Sequence, residues 1–236
     1  MIISTVFFTL ITYVIYMIAK KIYKRRSYFF MHPLLISPLA LIALISCLHV
    51  SGTQYIHSAR WLSHLLGPAT VAFAIPIYKH RALLKKNLGI IITSITTGVI
   101  VAILSSFALS KLLRMAPDLI ISILPRSITT PIAIEVSKEI GGLPALTTVF
   151  VIVTGIMGGI MGPSAIKWLS IESPIARGLA FGMSAHGVGT SKAMEYGEQE
   201  GTFSTLAMIF AAWITLLMGD SLIPMLIHAA KLTSGV

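Results

Sequence analysis

Residues 88–109 read Leu-Gly-Ile-Ile-Ile-Thr-Ser-Ile-Thr-Thr-Gly-Val-Ile-Val-Ala-Ile-Leu-Ser-Ser-Phe-Ala-Leu, a run without a single charge. As a helix rising 1.5 Å per residue it is about 33 Å long, enough to cross a hydrocarbon core of roughly 30 Å. Upstream, Ile2–Ala19 ends at the basic group Lys20, Lys21, Lys24, Arg25 and Arg26, and Leu34–Val50 opens after Pro33. Both read as spans. The first has no basic residue before it and no small-residue cleavage site after it, so it is a retained span and not a signal peptide. Composition agrees, with 56% hydrophobic residues, 11% charged residues and a mean hydropathy of +0.88, against about 25% charged residues in a soluble domain. The expected fold is all-α: a polytopic transmembrane helical bundle, one membrane domain over residues 1–236.

The net charge of +10 does not point to nucleic acid, because the cations sit in short connectors. A second group, Lys79, Arg81, Lys85 and Lys86, follows the first after two hydrophobic segments. If both groups are cytoplasmic, two crossings separate them. That makes Trp61–Tyr78 a third span, broken early by Leu65-Leu66-Gly67-Pro68-Ala69-Thr70, and puts the N-terminus outside. Cys47 is the only cysteine, which leaves no intrachain disulfide.

Residues 1–110 therefore carry mainly continuous spans, and residues 119–230 differ. There Pro125, Pro131, Gly141, Gly142 and Pro144 interrupt the apolar stretches, which predicts discontinuous helices, broken or re-entrant. Clean apolar runs return at Ala145–Met161 and Phe203–Met218, with Gly178–Tyr196 glycine-rich between them. Ser221–Ala230 is too short to cross alone. An internal echo supports a repeat: Thr130, Ala133, Glu135, Gly141, Leu146, Phe150 and Gly159 recur sixty residues on as Thr190, Ala193, Glu195, Gly201, Leu206, Phe210 and Gly219. Paired interrupted segments are a mark of transporters.

Two polar constellations fall in these segments. In Leu124–Glu135, two prolines free backbone groups that lipid cannot satisfy. Arg126 and the hydroxyls of Ser127, Thr129 and Thr130 there make a cradle for a small anion beside a half-helix end. In Gly182–Glu195, Gly187 and Gly189 permit close approach of a ligand. Thr190 and Ser191 stand at a following helix start, and Lys192 is a cation for a carboxylate. His186 is a further substrate-binding candidate, and Glu135, Glu195 and His186 are the candidates for proton coupling. The bland alternatives are that the hydroxyls re-satisfy proline-freed backbone, that the glycines form a packing seam and that the charges sit in headgroup water. Asp220 reads as a cap or interfacial carboxylate. No phosphate loop, nucleophile elbow or paired-histidine metal motif is present, so neither an enzyme nor a metal or organic cofactor is expected.

Leu66-Gly67-Pro68-Ala69-Thr70-Val71-Ala72, Leu124-Pro125-Arg126-Ser127, Thr129-Thr130-Pro131-Ile132-Ala133, Ala176-Arg177-Gly178-Leu179-Ala180 and His186-Gly187-Val188-Gly189-Thr190 together closely resemble the LrgB/CidB family of bacterial membrane proteins, related to the plastid glycolate/glycerate translocator. The resemblance spans nearly the whole chain and implies a multi-pass protein of the bacterial inner membrane. It implies carriage of pyruvate-, glycolate-, lactate- or glycerate-type carboxylates, or an antiholin- or holin-like role that modulates murein hydrolase activity and autolysis. It also implies homo-oligomers and a separate LrgA/CidA-type membrane partner, with no nucleic acid. In two places the chain departs from the family pattern: Ala185 precedes His186 where serine is expected, and Lys192 replaces an arginine. Lysine meets a carboxylate as a point charge and not as a bidentate fork.

Overall fold

The computed structural model describes residues 2–25, 31–65, 68, 71–72 and 74–230. The described residues form helices joined by turns, with no strand among them. Two compact units divide the chain, residues 1–75 and 76–236.

The first unit holds α1 (Ile2–Arg25), α2 (Pro33–Cys47) and α3 (Gly52–His64). α1 ends on Lys24 and Arg25, where cations complement the carbonyl end of the helix dipole. α2 starts with Pro33 in the first turn, where its missing N–H costs nothing, and the ring of His32 accepts from the Leu34 N–H. It stops at Cys47, three residues short of the span expected from hydropathy, because the chain turns through Leu48 and a left-handed His49 (φ 53°). α3 begins well before Trp61 and carries Gln54, His57 and Arg60, which makes it amphipathic instead of uniformly apolar. Its Tyr55 packs edge-on to Phe8 at 5.7 Å and meets the Thr12 hydroxyl at 2.8 Å. The expected break at Leu66-Gly67 and Ala69-Thr70 lies outside the described residues.

α4 (Ala74–Lys79) spans the boundary, and the second unit contains α5 (Arg81–Lys86), α6 (Leu88–Leu112), α7 (Pro117–Ile123), α8 (Thr130–Glu139), α9 (Pro144–Trp168), α10 (Pro174–Met194), α11 (Glu198–Gly219) and α12 (Leu222–Ala229). Of these, α6, α9 and α11 are long and apolar enough to cross a membrane, as is most of α1 in the first unit. α6 buries Ile91, Ile95, Val99 and Ile103, a four-residue stripe at helical spacing, and leaves Ile90, Val101 and Leu104 exposed, the faces an apolar solvent would cover. α11 is the most enclosed span, with Phe203, Ala207 and Ala211 at the centre of the core. α9 runs on through Pro163 to Trp168, beyond the end expected at Met161.

Lipid is as apolar as leucine, so helix association in a membrane depends on close packing. Small residues supply it. On α10, Gly178 faces the Glu200 carbonyl and Gly182 faces that of Ser204, so a Cβ at either position would collide with the α11 backbone. On α9, a Cβ at Gly158 would stand 2.6 Å from the Ala185 Cβ. Buried hydroxyls tie α7, α8 and α9 together: Thr147 donates to Ser137 Oγ at 2.7 Å, and Ser122 Oγ accepts from the Leu143 N–H at 2.8 Å. The echoed Thr-x-x-Ala-x-Glu segments take different places, since Thr130 opens α8 whereas Thr190 lies inside α10.

Candidate functional site

The turn from Leu124 to Thr129 joins α7 to α8. Thr129 caps α8 in extended conformation and Pro131 sits in its first turn, so the helix restarts cleanly after the break. Arg126 points from this turn to two spans. Its Nε donates to Ser106 Oγ on α6 at 2.9 Å, and its Nη1 donates to Thr154 Oγ1 on α9 at 3.2 Å. The side chain is half-buried, and among the described residues no carboxylate pairs with it. A guanidinium offers five donors. Two neutral hydroxyls leave donors and the whole positive charge available. Around it, Ser127, Thr129 and Thr130 are half-buried, and among the described residues none of their hydroxyls has a partner.

The other break is inside α10. His186 adopts φ 37° and ψ −116°, a conformation that few residues with a side chain tolerate, and the helix kinks there. Gly189 consequently abuts the carbonyl of Phe181, although positions eight apart in a straight helix are separated by about 12 Å. The residue is only 6% exposed. It lies close to the Val151 backbone, with its Cε1 2.8 Å from where a Cβ on Gly155 would be, and its buried Nε2 has no hydrogen-bond partner among the described residues. Thr154, which holds Arg126, adjoins Gly155 on α9. The two breaks thus converge on one stretch of α9, from Val151 to Gly155, with Arg126 on one side and His186 on another.

Other residues singled out from sequence lie elsewhere. Thr190 is buried and shares a 3.0 Å hydrogen bond with Ser204 of α11. Ser191 is exposed and donates back to the Gly187 carbonyl. Gly187 is open, with nothing within 4 Å of a Cβ placed there, while Gly189 serves packing. Lys192 pairs with Glu195 at 2.6 Å near the end of α10, and Glu135 pairs with Lys138 at 2.9 Å; both glutamates are well exposed. Arg177 reaches the Ile171 carbonyl and Glu200. Asp220 is the C-terminal cap residue of α11. Sequence reading missed Ser106 and Thr154. The signal for Ser106 was its place on the buried stripe of α6, three residues beyond Ile103. Among the described residues no three His, Cys, Asp or Glu side chains converge to hold a metal ion.

Comparison with known proteins settles the family. The model of the LrgB-like family matches residues 12–227. The chain belongs to the LrgB-like family. Its relatives include the uncharacterized protein YwbG of Bacillus subtilis (strain 168), 45% identical over 206 residues, which are 87% of this chain and 92% of that one. The holin-like protein CidB of Staphylococcus epidermidis is 37% identical, with 95% of this chain and 96% of the relative covered. CidB of Staphylococcus aureus is also 37% identical, over 92% and 93%. No solved structure matches. With four helices fit to span a bilayer, this LrgB-like chain is a multi-pass bacterial membrane protein.

Proposed function

We propose that this LrgB-like protein carries small monocarboxylates across the membrane and is not an enzyme. The observation that supports it is Arg126: a half-buried cation in a membrane protein, oriented by Ser106 and Thr154, and, among the described residues, without a carboxylate of its own and beside three hydroxyls that lack partners. Charges in such places are costly and are kept for a use. A carboxylate of pyruvate, glycolate, lactate or glycerate type would supply the missing counter-charge. The α8 N-terminus and Ser127, Thr129 and Thr130 would then orient it and any neighbouring hydroxyl or keto group. His186, which lies against the same stretch of α9 and whose buried Nε2 has no partner among the described residues, is the candidate for a coupled proton, in preference to the exposed and already paired Glu135 and Glu195.

The relatives favour a second reading, and their names speak for it more directly than for carriage: two of them are called holin-like. In that reading the chain acts as a homo-oligomer or with an LrgA/CidA-type membrane partner to modulate murein hydrolase activity and autolysis. Helix surfaces would then matter more than Arg126.

One pair of measurements separates the readings. Purified protein in liposomes is tested for uptake of radiolabelled pyruvate and glycolate, with and without a pH gradient, as wild type, Arg126→Gln and Lys192→Ala. The same variants are scored for autolysis in cells lacking the native protein. Saturable uptake lost in Arg126→Gln supports carriage. Absence of any uptake, with autolysis control intact in Arg126→Gln, rejects it in favour of the holin-like reading.

A further inference from the structure

We propose that the groove between α1 and α3 in the first unit binds an anionic phospholipid through its phosphate. The groove encloses about 500 Å³ and is lined by Val6, Thr9, Leu10, His57, Arg60 and Trp61 among others. This inference is independent of the carrier reading, since it concerns neither Arg126 nor the second unit.

Three observations carry it. Arg60 is a wall residue with no possible acidic partner nearby in sequence: the first carboxylate of the whole chain is Asp118, so the first unit contains none. The Oγ1 of Thr9, another wall residue, is buried and has no hydrogen-bond partner among the described residues. The groove is also amphipathic. Val6 and Leu10 belong to a span-length apolar helix, whereas His57, Arg60 and Trp61 belong to the polar, amphipathic α3. That pairing of a cation and an indole with apolar wall is the chemistry of the interface between headgroups and acyl chains.

The volume suits a headgroup and the first carbons of its chains. A phosphodiester there would neutralise Arg60 and accept from Thr9 and His57, while the glycerol and upper chain would lie on Val6, Leu10 and Trp61. A second copy of this unit fits less well. It would bring only more positive charge to Arg60, because it too lacks Asp and Glu.

Trp61 reports on the groove. Trp168→Phe and Trp213→Phe, both at exposed positions, leave it as the sole indole of the full chain. The protein is reconstituted at low density in phosphatidylcholine vesicles containing an equal mole fraction of brominated phosphatidylglycerol or brominated phosphatidylcholine. Quenching of Trp61 should be about fivefold more effective with phosphatidylglycerol. Arg60→Gln should bring that ratio close to one, and Arg60→Lys should keep most of it. Equal quenching by both lipids, or a preference unchanged in Arg60→Gln, overturns the proposal. So does a preference abolished by 1 mM inorganic phosphate at constant ionic strength, about a hundredth of the salt at which general screening sets in, because the site would then take free phosphate. Trp61 shielded from both lipids until the protein is diluted further overturns it too, by placing a second copy in the groove.

Discussion

Arg126 and Lys192 are both cations in interrupted segments, and their surroundings separate them. Lys192 has a carboxylate at 2.6 Å and lies at a helix end beside an exposed partner, where an ion pair is worth little and the charge is already compensated. Among the described residues Arg126 has hydroxyls only. Removing a charged hydrogen-bonding partner of a bound anion costs about 1.5–3 kcal/mol, or roughly ten- to a hundredfold in transport efficiency. Arg126→Gln is therefore expected to lower uptake of the better of pyruvate and glycolate by that factor. Arg126→Lys should fall between wild type and glutamine, because a point charge cannot reach Ser106, Thr154 and a carboxylate in one plane. Lys192→Ala should stay within about twofold of wild type. Initial uptake rates at several substrate concentrations check all three, and a Lys192→Ala defect as deep as that of Arg126→Gln would contradict the assignment. Thr190 and Ser204 make a different residue-scale test, since each is the other's buried partner. Either single alanine leaves a buried hydroxyl unpaired and should cost about 1–3 kcal/mol, whereas the double substitution should cost less than the two added together. Thermal unfolding of the four proteins in detergent gives the coupling.

Helices in this protein meet where side chains are absent. Gly158 allows α9 to touch the segment of α10 just before its kink, with the Ala185 Cβ and the Ser184 carbonyl 2.6 Å and 3.0 Å from where its own Cβ would be. Neither atom can retreat without moving backbone, so Gly158→Leu should destabilise by about 1–3 kcal/mol and shift the kink that positions His186. Gly89, in the first turn of α6, has nothing within 4 Å. Gly89→Ala should be neutral or stabilise by up to about 1 kcal/mol, since alanine is the better helix former. Unfolding temperatures in one detergent compare the two directly, and equal effects would mean that contact geometry does not control this packing. These contacts also show which elements were legible beforehand. The spans α6, α9 and α11 were visible in hydropathy because each contains a long uncharged run, and the breaks near Arg126 and His186 were visible because prolines or glycines crowd there. The apolar run Ala145–Met161 marks only part of α9, which continues through Pro163 to Trp168: a proline removes one N–H yet does not end a helix whose neighbours are packed. α3 was misread because apolar residues at its end drew attention from the polar residues at its start. Arg126 and its hydroxyl neighbours were singled out from sequence as candidates, but Ser106 and Thr154 were not. Which serine on an apolar span meets an arginine is decided by how the helices rotate against one another, and hydropathy carries no record of that.

Across the whole chain the charges are unevenly placed, and that asymmetry predicts orientation. Every one of the eight carboxylates follows residue 117, while the basic groups Lys20–Arg26 and Lys79–Lys86 bracket the hydrophobic segments of the first part. Short basic connectors remain cytoplasmic because carrying them across the bilayer is unfavourable, at roughly 2.5–3.5 kcal/mol for a lysine or arginine at the helix centre, whereas acidic residues bias orientation little. Both groups should thus face the cytoplasm and the N-terminus should face outside. Single cysteines at Lys24 and Lys85 test this in a Cys47→Ser background, a mild change because Cys47 is exposed and makes no disulfide. An impermeant maleimide should label both positions in inside-out vesicles and neither in intact cells. Labelling of Lys24→Cys alone from inside would mean an odd number of crossings between them. The region around α3 would then enter and leave the bilayer on one side, as an amphipathic helix of 13 residues and about 20 Å is able to do. Labelling of both from outside would reverse the orientation, and the α8 N-terminus with Arg126 would be approached by substrate from the opposite compartment.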